Sequence, residues 1–269
     1  MAKPAREFNV RFLPGITPLA LLGFLFLYMP LGVLIFYSFS GDDVLGHWGG
    51  FSWRWYVSTV QNEMIREAAG RSVLIATIAA GIAVSFATMA AIATTRSTSF
   101  KSSKWIYMVI SQPLMVPEIV LAVALLILFA LIRKLTGIDG LGYVIAAHTT
   151  FCIPFAYMPI RARLEGMDSN LEAAAADLYA NAWVTFRRVT LPLLLPAVFG
   201  GFMLAFVISF DDVVITQFIK SAGQETLPTY MLGQLRRGIS PEVYAIASIM
   251  LSASVVILSG VFVLSKTKN

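Results

Sequence analysis

Apolar positions along this chain fall in long unbroken runs, with the polar ones bunched between them. Six runs stand out, covering 16–37, 73–93, 105–132, 141–160, 193–218 and 243–264. A helix needs about 20 apolar residues to cross roughly 30 Å of hydrocarbon, and each run meets that length. None alternates polar and apolar residues at period two, as the strands of a membrane barrel do. The pattern predicts an all-α membrane protein with six transmembrane helices, with 1–269 forming a single transmembrane domain.

The segments between the runs carry the sidedness. With the amino terminus inside, twelve basic residues fall inside: Lys3, Arg6, Arg11, Arg96, Lys101, Lys104, Arg161, Arg163, Arg187, Arg188, Lys266 and Lys268. Eight fall outside, and the excess of basic residues on one side predicts that both termini are cytoplasmic. Residues 38–72 and 219–242 then form long outer loops, and 161–192 the one long inner loop. The first outer loop holds Trp48, Phe51, Trp53, Trp55 and Tyr56, which reads as an amphipathic segment at the membrane interface in preference to a ligand-binding aromatic cluster. The first run is too long for a signal-peptide core, and no small-x-small cleavage site follows it, so it reads as an uncleaved span.

Composition agrees with the pattern and removes several function classes. The chain is 58% hydrophobic and 13% charged, with a mean hydropathy of +0.77, more apolar surface than a water-facing exterior can carry. Its net charge of +5 follows membrane sidedness and forms no basic stripe interleaved with aromatics, so nucleic acid is not an expected partner. Cys152 is the only cysteine, which rules out an intrachain disulfide. Two histidines without clustered Cys or acids give no metal site, no GxxxxGK[ST] loop offers an ATP site, and no nucleophile and base pair is evident. Transport is the expected role, not catalysis.

Polar groups inside the runs are the candidates for a substrate pathway. Glu118 falls near the middle of the third run, where an acid costs about 3 kcal/mol. Pro113 and Pro117 precede it, and Pro113 cannot donate to the carbonyl of Val109, so a kink there is expected to free backbone acceptors beside the carboxylate. Such a bend suits a cation; the competing reading is a packing ion pair. Asp211 and Asp212 are expected in the outer half of the fifth span, about 100° apart around a helix, so that only one faces the path squarely. Adjacent carboxylates repel, which calls for a proton or a nearby cation, a diamine substrate or Lys220 or Arg71. His148, flanked by Thr149 and Thr150, reads as a packing residue with a satisfied hydrogen bond.

The inner loop carries the most specific signal, in DSNLEAAAADLYANAWVTFRRVTLPLLLP at 168–196. Ser169 and Glu172 have capping-box spacing, Leu171, Ala174, Ala175, Leu178 and Ala182 recur on one face, Asn181 can cap a second short helix, and Pro192 is expected to break the pattern. A short helix with a face of small residues needs a partner to be stable. This stretch resembles the cytoplasmic loop of permease subunits of binding-protein-dependent ABC importers, Glu-Ala-Ala, three residues, Gly, nine residues, Ile-x-Leu-Pro. Aligned on Leu191 and Pro192, Ala174 and Ala175 match, Val189 stands for Ile, Ala173 replaces the glutamate with Glu172 one place earlier, and Tyr179 replaces the glycine. Further stretches, QPLMVPEIV at 112–120, AFVISFDDVVITQF at 205–218 and TLPTYML at 226–232, resemble the spermidine and putrescine branch.

The resemblance implies a type I importer permease whose loop 161–192 docks on an ATPase through Glu172, Ala174, Ala175, Asp177, Leu178, Tyr179 and Phe186. It also implies a homologous second permease, two cytoplasmic ATPase subunits that hold ATP and Mg, a periplasmic or extracellular substrate-binding protein, a location in the bacterial inner membrane, and no cofactor in this chain. Substrates of similar branches are aminoethylphosphonate, opines and ferric iron. A rival reading is a proton-driven secondary carrier using Glu118 and Asp212, though no internal repeat of the kind such carriers show is evident.

Overall fold

A computed structural model describes residues 16–44, 46–96, 103–237 and 240–266. Lys3, Arg6, Arg11, Lys101 and Lys268, all counted in the charge asymmetry, lie outside the described residues. Apart from one isolated β-bridge between Ser40 and Phe51, the described residues form helices and connecting turns. In chain order these are α1 (Ile16–Tyr37), α2 (Arg54–Gln61), α3 (Glu63–Arg96), α4 (Ser103–Met115), α5 (Glu118–Thr136), α6 (Gly142–Glu165), α7 (Asn170–Asp177), α8 (Ala182–Thr185), a π-helical turn (Phe186–Thr190), α9 (Leu191–Phe210), α10 (Val214–Ile219), α11 (Leu227–Arg237) and α12 (Glu242–Lys266). Six stretches among the described residues are long and apolar enough to cross a membrane.

The chain divides into two compact units. The first, Met1–Thr59 with Ser240–Ile249, contains α1, which is apolar and exposed around almost its whole circumference, as a helix surrounded by lipid or by a partner helix must be. In the turn after it Phe39 packs on Phe51, Trp53 and Tyr56, with ring centroids 5.4, 5.0 and 5.0 Å away, and Trp48 stacks on Phe36 at 4.3 Å. Ser58 donates to Glu242 at 2.7 Å, fixing the start of α12 in this unit.

The second unit, Val60–Ile239 with Met250–Asn269, is organised around α3, α6 and α9. Burial on α3 follows small residues at helical spacing, Ala76, Ala79, Ala80, Ala83, Ala87 and Ala91. Without a hydrophobic drive between helices in lipid, close approach of backbones and dispersion hold spans together, and small residues permit both. The same logic operates where α6 crosses α9: a Cβ on Gly201 would lie 3.0 Å from the Ala156 carbonyl oxygen. Tyr157, Ile160, Leu164 and Leu194 fill the remaining space in this core. A second cluster, Ile75, Ala122, Leu125, Val144, Ala147, Ile215 and Ile219, joins α3, α5, α6 and α10.

Two expected spans are not continuous. The third is broken at Val116 and Pro117, so helix passes through Pro113, the expected kink, and stops two residues later, at Met115. Pro117 has no N–H to give to Pro113 and disfavours helical backbone at Val116, which ends α4 with its N–H on the Gln112 carbonyl at 3.1 Å. The fifth ends at Phe210, and α10 restarts at Val214. Pro192 breaks nothing: helix runs on from Ala182 to Phe210, and the π-helical turn, in which the Leu191 N–H bonds to the Phe186 carbonyl, lies just ahead of the residue that lacks an N–H.

Candidate functional site

The two helix breaks meet. Glu118 is the first residue of α5, with Pro117 as its N-cap, so the acid stands at the positive end of the helix. Across from it, Asp212 sits in the gap between α9 and α10. Its Oδ2 accepts from the Thr216 N–H at 2.9 Å and the Thr216 hydroxyl at 2.8 Å, and its Oδ1 from the Ile215 N–H at 3.3 Å. The packing of α5 against α10 brings Glu118 next to Asp212. Two carboxylates this close repel unless a proton or a cation lies between them.

His148 of α6 completes the cluster. Its Nδ1 is 2.7 Å from the Ser209 hydroxyl, on the last turn of α9, and its Nε2 is 2.9 Å from the Thr216 hydroxyl, on α10. The same Nε2 lies 3.4 Å from Asp212 Oδ2, with the side chains of His148 and Asp212 exposed by 2% and 1%. The histidine thus staples together the two helices that flank the break in span five. Its hydrogen bonds match the packing reading, but their place beside Asp212 was hidden in the sequence, because Ser209 and Thr216 are 61 and 68 residues away.

Asp211 and Asp212 do not share a helix, so the 100° argument fails. Asp211 is the C-cap of α9, exposed, with Oδ2 3.3 Å from the Ser254 hydroxyl. Asp212 is buried and turned toward His148 and Glu118. Lys220 is engaged with Glu225 at 3.3 Å, and Arg71 with Glu67 and the Glu225 carbonyl, so neither basic group pairs with these aspartates.

The loop after α6 differs from expectation at its start. Ser169 makes no side-chain cap; Asp168 Oδ1 accepts from the Asn170 N–H at 2.9 Å, and Glu172 bonds elsewhere. Asn181 does cap α8, accepting from the Val184 N–H at 2.9 Å. Helix α7 ends at Asp177, so Leu178 leaves the expected apolar face and is 82% exposed. Ala175 and Phe186 are half-buried, while Ala174 and Asp177 are exposed.

Tyr179 takes a left-handed backbone, φ 61°, alone among the described non-glycine residues. Around it the Ala180 N–H reaches the Ala175 carbonyl at 3.0 Å and the Tyr179 N–H the Ala176 carbonyl at 2.9 Å, a helix-terminating Schellman arrangement that normally places glycine there. The sharp turn survives the loss of glycine, and the tyrosine side chain stands 99% exposed.

Residues 83–267 match the family of binding-protein-dependent transport system inner membrane components, and the chain belongs to that family. It is 36% identical over 236 residues, 87% of this chain and 84% of the relative, to the putrescine transport system permease protein PotI of Escherichia coli. It is 39% identical over 237 residues, 87% and 90% of the two chains, to the spermidine/putrescine transport system permease protein PotC of Haemophilus influenzae. Among solved structures, a bacterial ABC transporter that imports alginate aligns with a TM-score of 0.65 at 13% identity, covering 93% of each chain. Inward-facing MetNI methionine ABC transporter aligns with a TM-score of 0.64 at 13% identity, covering 77% of this chain and 96% of that one. The fold is that of an ABC importer permease.

Proposed function

We propose that this chain is the permease subunit of a type I ABC importer that carries a small polyamine, putrescine or spermidine, inward. The whole chain works as one transmembrane domain with both termini cytoplasmic and 161–192 as the inner coupling loop. It pairs with a homologous permease, two ATPase subunits that bind ATP and Mg, and an external binding protein. The observation that carries the substrate reading is the Glu118 and Asp212 pair at the meeting of two broken spans, an anionic site suited to an alkylammonium group. Likeness to polyamine permeases over most of the chain supports it.

In this reading the binding protein releases the polyamine into a path closed at the inner face. Ammonium groups exchange water for the carboxylates at the breaks, and ATP-driven movement of the loop opens the opposite side. A cation held between two acids offsets their repulsion and leaves once the geometry of the breaks changes.

The test is reconstitution of the full importer in liposomes, with putrescine, spermidine, aminoethylphosphonate and ferric iron offered as binding-protein-loaded substrates. A polyamine is expected to stimulate ATP hydrolysis and accumulate. Glu118→Gln and Asp212→Asn are each expected to lower uptake at least about tenfold at normal assembly, the loss of one charge-assisted contact. Unchanged uptake and concentration dependence in Glu118→Gln would remove that residue from the path. Uptake by this chain alone, driven by a proton gradient, would replace the importer reading with a secondary carrier.

A further inference from the structure

Glu172 faces the membrane-spanning helices, not the exposed side of the loop. It lies in the first turn of α7, where helix polarity favours an acid, and Arg96 lies in the last turn of α3, where it favours a base. The two side chains meet, with Arg96 Nε 3.3 Å from Oε1 and 3.2 Å from Oε2 of Glu172. Oε1 also accepts from the Thr190 hydroxyl at 2.8 Å, at the end of the π-helical turn that runs into α9. Arg96 Nη2 reaches the Met167 carbonyl at 3.4 Å. The pair is largely shielded, with side-chain exposures of 20% and 24%, and Thr190 is buried.

One carboxylate therefore joins three elements: α7, the end of α3 and the start of α9. Among the described residues, no other side chain of α7 makes a hydrogen bond or ion pair to another element. The two helices it grips pack against α6 and against each other in the core. A shielded ion pair of this kind resists stretching more than apolar contact does, because separating it leaves charges without partners.

We propose that Glu172 is a positioning residue, a strut that carries displacement of α7 to α3 and α9 together. The proposal rests on the reading of 161–192 as the loop that meets the ATPase. Sliding of α7 alone would strand the Arg96 guanidinium and the Thr190 hydroxyl; movement of all three elements as one body keeps every bond.

The test uses the whole importer in liposomes with putrescine, comparing Arg96→Glu, Glu172→Arg and the double exchange. Each single variant is expected to assemble but to lose binding-protein-stimulated hydrolysis and uptake per ATP by about tenfold. The exchange is expected to restore most of both, which a simple loss of stability would not do. Normal coupling in the singles, or an exchange no better than the worse single, overturns the strut. Where reversal prevents assembly, Glu172→Gln and Thr190→Val keep side-chain volume: reduced uptake per ATP in both supports the proposal, and normal coupling in both overturns it. Cross-linking from Leu178→Cys separates the two readings. No link to the ATPase overturns the docking role and the strut with it, whereas a link alongside a failed exchange overturns the strut alone.

Discussion

At Tyr179 the chain accepts a left-handed backbone that L side chains resist, at a cost of about 1–2 kcal/mol. Glycine removes that strain but gains freedom in the unfolded chain, so the net stabilisation in Tyr179→Gly is expected to be about 1 kcal/mol. A rise of about 2–4 °C in the thermal midpoint of the solubilised permease would register it. A fall would mean that the freedom glycine gains in the unfolded chain outweighs the strain it removes. The sequence marked this position, since an aligned glycine was missing, but only the three-dimensional chain shows which backbone the tyrosine takes. Glu172 was harder to read. Its spacing from Ser169 matched a local cap, whereas its bonds go to Arg96 and Thr190, 76 and 18 residues away.

Among elements, the two interrupted spans show what an apolar run leaves unsaid. Length and hydropathy fix how many helices cross a bilayer, because every backbone group must be satisfied within the span. They do not locate a gap that polar side chains fill. The sequence pointed to Pro113 as the kink in the third span, and only the fold shows helix tolerating it and ending before Pro117. In the fifth span nothing helix-breaking precedes Asp212; the gap is held by its bonds to the amides of α10 and by His148. Pro117→Ala removes the obstacle to a continuous helix and is expected to turn Glu118 away from Asp212, lowering uptake severalfold while the permease still assembles; unaltered uptake would show that the break is fixed by other contacts. At the other end of the scale of tolerance, Gly201→Leu forces α6 and α9 apart at the Ala156 carbonyl. Overpacking costs about 1–3 kcal/mol, and the expected result is a lower yield of folded permease in the membrane.

On the scale of the whole molecule, the count of spans and the all-helical class were legible because hydrocarbon thickness imposes them residue by residue. Sidedness is a statement about loops and is open to direct chemistry. Cys152 is fully buried and bonded to the Ala205 carbonyl at 3.4 Å, so it gives no background to a reagent that stays in water. Leu178→Cys is expected to react with an impermeant maleimide only in inverted vesicles, and Ala222→Cys only in right-side-out ones. The opposite pattern would place the loop 161–192 outside and end its role as the ATPase contact.

The π-helical turn ahead of α9 also keys the loop in rotation. Such a turn holds one residue more than an α-turn, and one residue is worth about 100° around a helix axis. Excision of Val189 would therefore be absorbed, the turn reverting to ordinary winding with the loop's heading kept, whereas excision of one residue from the α-helical part of α9 would swivel the loop by about that angle, like a spanner slipped one flat on its nut. Torque applied at the loop would then reach the wrong side of the shaft.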